Sequence, residues 1–115
     1  MKFLVRHHRG EDGSRREYVY YWCAGCGHAH SVPAERWNWN KSMEQPTLSP
    51  SVRHFIPASS NPGPGVPPRP EQTTCHYHLI GGVIEYCGDC QHSLKGQKVP
   101  LQEIPEGYGI PDDQP

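Results

Sequence analysis

Cys75-His76-Tyr77-His78-Leu79-Ile80-Gly81-Gly82-Val83-Ile84-Glu85-Tyr86-Cys87 consists of two β-forming runs joined by paired glycines. Two adjacent glycines supply the positive φ angles that a two-residue hairpin turn needs. That turn predicts a register in which Ile80 faces Val83, His78 faces Glu85 and His76 faces Cys87. Cys75, Leu79, Ile84 and Tyr86 then belong to the opposite face, and continuing the alternation puts Cys90 on the Cys75 side.

Working outward, Lys2 to His8 and Glu17 to Trp22 are two further β-leaning runs, and the turn residues Gly10 to Ser14 join them. The second run leads into a Cys23-Ala24-Gly25-Cys26-Gly27 turn, and His28 to Val32 returns as a strand that Pro33 ends. Residues 34–37 read as a loop entering a short strand, because Asn38, Asn40 and the prolines that follow leave a helix no length. Thr47 to Ile56 reads as extended, with Pro50 demoting it to an edge strand or a bulge. Residues 57–72 carry six prolines and two glycines and predict an exposed loop, and the tail from about residue 102 reads as loose. The expected fold is a single all-β, loop-rich domain over residues 1–115, its hairpins joined by a zinc-ribbon-like metal site.

Composition supports this and narrows the function. Apolar residues make up 34% of 115 positions, so a compact core at this size needs a staple. The opening apolar run is too short for a signal peptide and no later run approaches a membrane span, which predicts a cytoplasmic protein with no membrane partner. A formal charge of −1 argues against a chain built to neutralise a nucleic-acid backbone. Arg6, Arg9, Arg15 and Arg16 are interleaved with Glu11, Asp12 and Glu17, as on a solvated turn. Five cysteines, an odd number, read in a reducing compartment as metal ligands or free thiols rather than as a disulfide framework.

Cys23 and Cys26, with Gly27 behind them, have the spacing of a zinc knuckle and predict half of the shell of one Zn2+ ion. A redox dithiol shares the spacing, but the helix and βαβ setting of such proteins is missing. For the other half, Cys75, Cys87 and Cys90 compete, with His30, His76 and His92 as nitrogen alternatives. Spacing favours the Cys87-x-x-Cys90 pair. The hairpin faces favour Cys75 with Cys90.

Trp39-Asn40, Pro46-Thr47-Leu48-Ser49-Pro50-Ser51, Cys75-His76, Gly88-Asp89-Cys90-Gln91-His92 and Gly96-Gln97 resemble the motifs of an uncharacterised phage and prophage metal-binding family. The resemblance covers roughly residues 17–56 and 73–101. It implies a phage-associated, small, β-rich, metal-binding protein, and it brings no substrate. Members are often labelled ammonia monooxygenase, a membrane-bound copper oxygenase whose spanning helices this sequence lacks. The family pattern has Cys at positions 75 and 90, His at 76 and 92, and typically an apolar residue where Cys87 stands. It therefore favours Cys23, Cys26, Cys75 and Cys90 as ligands. Cys87, His76, His92 and Asp89 remain as alternative ligands or as groups hydrogen-bonded to a ligand. The chain departs from the pattern at Ala24 and His78.

Three functions follow as expectations. The first is a phage-derived accessory or interaction protein, not an enzyme, in which zinc holds the fold and Trp37, Trp39 and Asn40 contact another protein of phage or host. The same tryptophans would serve equally as core packing. The second is a metal-dependent hydrolase using His76, Asp89 and His92, with Asp89 otherwise orienting a metal-bound histidine. The third is a nucleic-acid-binding zinc ribbon.

Overall fold

A computed structural model of the chain describes residues 2–58 and 71–106. The expected loop over 57–72 and the tail from 102 lie largely outside these residues. The described part is all β, with no helix. Strands β1 (Phe3–Arg9), β2 (Arg15–Cys23) and β3 (His28–Pro33) form an antiparallel sheet in that order. Strands β4 (Asn38–Trp39), β5 (Leu48–Ile56), β6 (Thr73–Ile80), β7 (Val83–Tyr86) and β8 (Lys98–Pro100) form a second antiparallel sheet, again in chain order. Chain order within each sheet means that neighbouring strands follow one another in sequence with no crossover, the arrangement that a Gly- and Pro-rich chain without helices can build.

The central hairpin has the predicted register: Ile80 pairs with Val83 and His78 with Glu85. The Cys87 N–H donates to the His76 carbonyl at 2.9 Å, which carries the pairing past the end of β7. Gly81 (φ 57°) and Gly82 (φ 81°) are both left-handed, as a type I′ turn requires. β8 is the strand that the sequence did not announce. Its three residues pair with Val83, Ile84 and Glu85, and the Leu101 N–H donates to the Gly82 carbonyl.

Alternation sorts each strand into a core side and an outer side. Val19, Tyr21 and Cys23 of β2 and His30 and Val32 of β3 face the second sheet, where Val52, Cys75, Tyr77, Leu79, Ile84 and Tyr86 meet them, all buried. Each fully buried Val or Leu here contributes about 1.5–3 kcal/mol. The two sheets also touch through polar atoms. The Tyr21 and Tyr77 hydroxyls lie 2.5 Å apart, and His54 Nε2 is 3.1 Å from the Tyr77 oxygen. Burial raises the pKa of both tyrosines, so they stay protonated and can chain their hydroxyl protons between the sheets. Tyr77→Phe is expected to cost on the order of 1–3 kcal/mol, because the Tyr21 hydroxyl loses its partner in a fully buried place. Urea unfolding checks this, and a loss below experimental error would mean that the pair is inert.

Pro50 interrupts β5 as expected. Leu48 pairs with Leu79 and Val52 with Tyr77, so three residues, Ser49, Pro50 and Ser51, stand against His78 alone. The extra residues form a bulge, which re-aims the side chains at that point. β5 is not a full edge strand, since β4 pairs with it, but only at Leu48 and Ser49.

Candidate active site and metal centre

Strand β6 carries chemistry on both of its faces. Cys75 and Tyr77 point into the core, and His76 and His78 point outward. The segment after β7 repeats the division. Cys90 is buried and Asp89 is exposed. That segment lies along β6, with the Gln91 N–H donating to the Thr74 carbonyl at 2.9 Å and the Thr74 N–H to Gln91 Oε1 at 2.6 Å.

On the core side, Cys23, Cys26, His30 and Cys75 each offer a ligand atom within 4.8 Å of all the others. Cys23 and Cys26 come from the turn between β2 and β3, which is closed by the Gly27 N–H donating to the Cys23 carbonyl, with Gly27 at φ 74°. Cys75 Sγ lies 3.9 Å from Cys23 Sγ. Cys75 also belongs to a second group with Cys90 and His92, whose Nε2 is 3.4 Å from Cys75 Sγ and 3.1 Å from Cys90 Sγ. The His92 ring lies so closely against the turn that a Cβ at Gly25 would collide with it, so any other residue there would have to displace His92.

This donor set fits a metal ion. His30 is 3% exposed and its Nε2 is buried with no hydrogen-bond partner among the described residues, a costly arrangement that a bound metal ion would relieve. The thiols are equally unbalanced. Hydrogen bonds from Cys26 and Cys75 pull the Cys23 thiol far below its usual range. The contact with Cys23 in turn pushes Cys26 up to about 12 and Cys75 higher still. Packed this closely, the thiols oppose one another's ionisation, whereas a dication would let several ionise together. His54 stacks on His30 at 4.1 Å, and its pKa is held down to about 4 by burial first and by His30 second, so it packs there as a neutral ring.

Of the expected ligands, Cys23, Cys26 and Cys75 come together. Cys90 sits beside them through Cys75 and His92, and His30 joins the first group. Cys87 does not. It lies on the outer face, grouped with His76 and Asp89. The hydrolytic trio expected from the sequence is divided in the same way, with His76 and Asp89 together outside and His92 on the core side.

The outer face holds a residue to which the sequence reading gave no role. Ser51 Oγ lies 3.2 Å from His76 Nε2, and His76 Nδ1 lies 2.9 Å from Asp89 Oδ1. An ionised carboxylate only accepts, so the ring proton is on Nδ1 and Nε2 is left to accept from the Ser51 hydroxyl. The hydrogen bond from His76 holds the Asp89 carboxyl below its ordinary range, with Arg53, 3.5 Å away, adding to the effect. Serine, histidine and aspartate are thus connected in the order, and at the distances, of an acyl-transfer triad.

The Trp-x-Trp-Asn segment supports this arrangement from behind. Trp37 Nε1–H donates to the Pro50 carbonyl at 3.1 Å, next to Ser51, and Trp39 packs on Phe3 at 5.5 Å. The Asn40 side chain accepts from the Ser42 and Thr47 N–H groups and donates to the Gln45 carbonyl. These contacts fix the loop that delivers the bulge. All three side chains expected to meet a partner are thereby engaged within the domain.

Among the described residues no helix is long and apolar enough to cross a membrane. No curated protein and no solved structure matches the chain at a significant level. A family model does match. Described as bacterial ubiquitination-like system serine protease (BubE), it covers residues 3–87, which include every strand up to β7 together with Ser51 and His76, though it carries nothing on phage origin. The chain belongs to the BubE family.

Proposed function

We propose that this chain is a serine peptidase with Ser51 as nucleophile, His76 as general base and acid, and Asp89 as the group that orients His76. The observation that carries the reading is the unbroken series Ser51 Oγ, His76 Nε2, His76 Nδ1, Asp89 Oδ1 on one sheet face. The family description points to the same chemistry. As Ser51 Oγ bonds to a substrate carbonyl carbon, its proton passes to His76 Nε2. His76 then gives that proton to the departing amine, and a water molecule repeats the sequence to release the acid. Asp89 keeps the Nδ1 proton in place and stabilises the imidazolium that forms between these steps.

The substrate class we infer is a polypeptide of a bacterial ubiquitination-like system, cut at a main-chain or side-chain amide. An open sheet face suits such a chain. Ser51 and His76 are half-buried there, with Phe55 and Ile80 exposed on the same strands. The metal, which we take to be a single Zn2+, is structural in this reading. Cys23, Cys26 and Cys75 would hold it with His30 or with Cys90, and it would tie the turn after β2 to β6. A cytoplasmic setting would keep those thiols reduced.

The test is covalent labelling of the metal-loaded protein with a fluorophosphonate, combined with cleavage of a ubiquitin-like domain carrying a C-terminal extension. The expected result is one adduct, mapped to Ser51, and release of the extension. Folded protein that gives neither would overturn the assignment. Asp89→Asn is expected to lower kcat by about 10²–10⁴-fold, because an asparagine that turns its amide N–H toward the ring leaves Nε2 carrying the proton. An Asp89→Asn rate within twofold of wild type would remove Asp89 from the triad.

A further inference from the structure

The outer face contains a second use for His76. Cys87 stands across the hairpin from it, and His76, Cys87 and Asp89 each present a ligand atom within 4.8 Å of the other two. Imidazole, thiolate and carboxylate are the three ligand types of open zinc sites, in which water completes the tetrahedron. Ligand atoms around zinc lie about 3–4 Å apart, so small side-chain rotations would close this group. Cys87 and His76 are half-buried; His76 lies on β6, and Cys87 directly follows β7 with its N–H donating to the His76 carbonyl.

We propose that His76, Cys87 and Asp89 form a zinc-binding site that withdraws His76 from Ser51 and so inhibits the enzyme reversibly; the inhibitory role rests on the serine-peptidase reading, whereas the binding does not. Either ring nitrogen serves. Zinc on Nε2 blocks the lone pair that would accept the Ser51 proton. Zinc on Nδ1 displaces the Asp89 hydrogen bond and sends the ring proton to Nε2, which then donates where the reaction needs an acceptor. Cys87 gives up its proton to solvent as the metal binds. Arg53 opposes the cation, but it is half exposed and reaches only one Asp89 oxygen at 3.5 Å, so it can swing aside. Without a cation the Cys87 thiol is pushed up, by its partial burial first and by the Asp89 carboxylate second, so it does not compete with Ser51 as a nucleophile.

This site is separate from the structural cluster. Cys75 and His76 are neighbours in sequence but lie on opposite faces of β6, and Cys87 is not grouped with the core thiols. An ion on the outer face is therefore held by residues on which the fold does not depend.

The experiment uses protein whose structural site is already filled with zinc and from which excess metal has been dialysed. Added Zn2+ is expected to inhibit fluorophosphonate labelling of wild type, with recovery on dilution into metal-free buffer. Cys87→Ser should label at the wild-type rate without added metal and need about tenfold more zinc, or greater, for half inhibition. Equal zinc sensitivity in wild type and Cys87→Ser would overturn the proposal, as would an active wild type that zinc leaves untouched. A second measurement reads binding without activity. One equivalent of Co2+ added to the same protein should give a thiolate-to-cobalt charge-transfer absorption in wild type that Cys87→Ser lacks. If wild type shows that band but never labels, the metal site stands and the peptidase reading fails. If it labels and shows no band, the metal site fails alone.

Discussion

Replacing Ser51 by alanine is expected to abolish both fluorophosphonate labelling and peptide cleavage, with kcat falling by about 10⁴–10⁶-fold while the fold persists. The size of the loss follows from what remains. Without the hydroxyl, His76 and Asp89 still form a base and its orienting carboxylate, but no covalent acyl intermediate can form and water must attack unaided. The stability cost should be small, within about 0.5 kcal/mol. Ser51 is half-buried on the outer face and its side chain bonds to His76, so its removal opens no cavity in the core. Thermal unfolding measured beside the activity assay separates the two effects. A Ser51→Ala protein that still takes up the label would place the nucleophile elsewhere.

Cys75→Ser is expected to have the opposite profile, with loss of the metal, the fold and the activity together. Structural zinc sites contribute about 10–16 kcal/mol in apparent binding free energy, which matches or exceeds the whole stability of an ordinary domain of this size. Cys75 belongs to both core-side groups, so its loss weakens every ligand set that the cluster can assemble. Native mass spectrometry should show the ion missing, and near-UV circular dichroism should show the packing of Tyr21 and Tyr77 gone. Cys87→Ser is the control and should keep both the ion and the spectrum. If Cys75→Ser stays folded and metal-bound, with Cys87→Ser losing the ion, the structural site lies on the outer face.

The hairpin from Cys75 to Cys87 was legible because a Gly-Gly turn leaves one comfortable register, and every face assignment of those strands follows from it. The knuckle at Cys23 and Cys26 was legible from spacing alone. His30 appeared only as one nitrogen among several, since which histidines of β3 face inward depends on its pairing with β2. The triad was half visible. His76, Asp89 and His92 stand out together as a possible hydrolytic trio because they lie close together around the last hairpin, and the structure places His92 on the core side, away from the other two. Ser51 carries no signal of its own in the sequence. It reaches His76 through a three-residue bulge whose size depends on how Pro50 is accommodated between β4 and β6, and no periodicity in the chain reports that. For Trp37, Trp39 and Asn40 the sequence leaves partner contact and packing both open, because aromatic side chains on a short strand have the same appearance whether they face solvent or brace a neighbouring loop. β8, three residues long, was too short to stand out from the loops around it.

Cys75 and His76 are consecutive, and so are Asp89 and Cys90, with one member of each couple on either side of the second sheet. The thiol cluster and the Ser51–His76–Asp89 series are therefore set by the register of one strand. Sliding β6 by a single position would send the Cys75 thiol to solvent and the His76 ring into the core. Gaining or losing one residue within this strand would therefore disturb the thiol cluster and the Ser51–His76–Asp89 series in the same event.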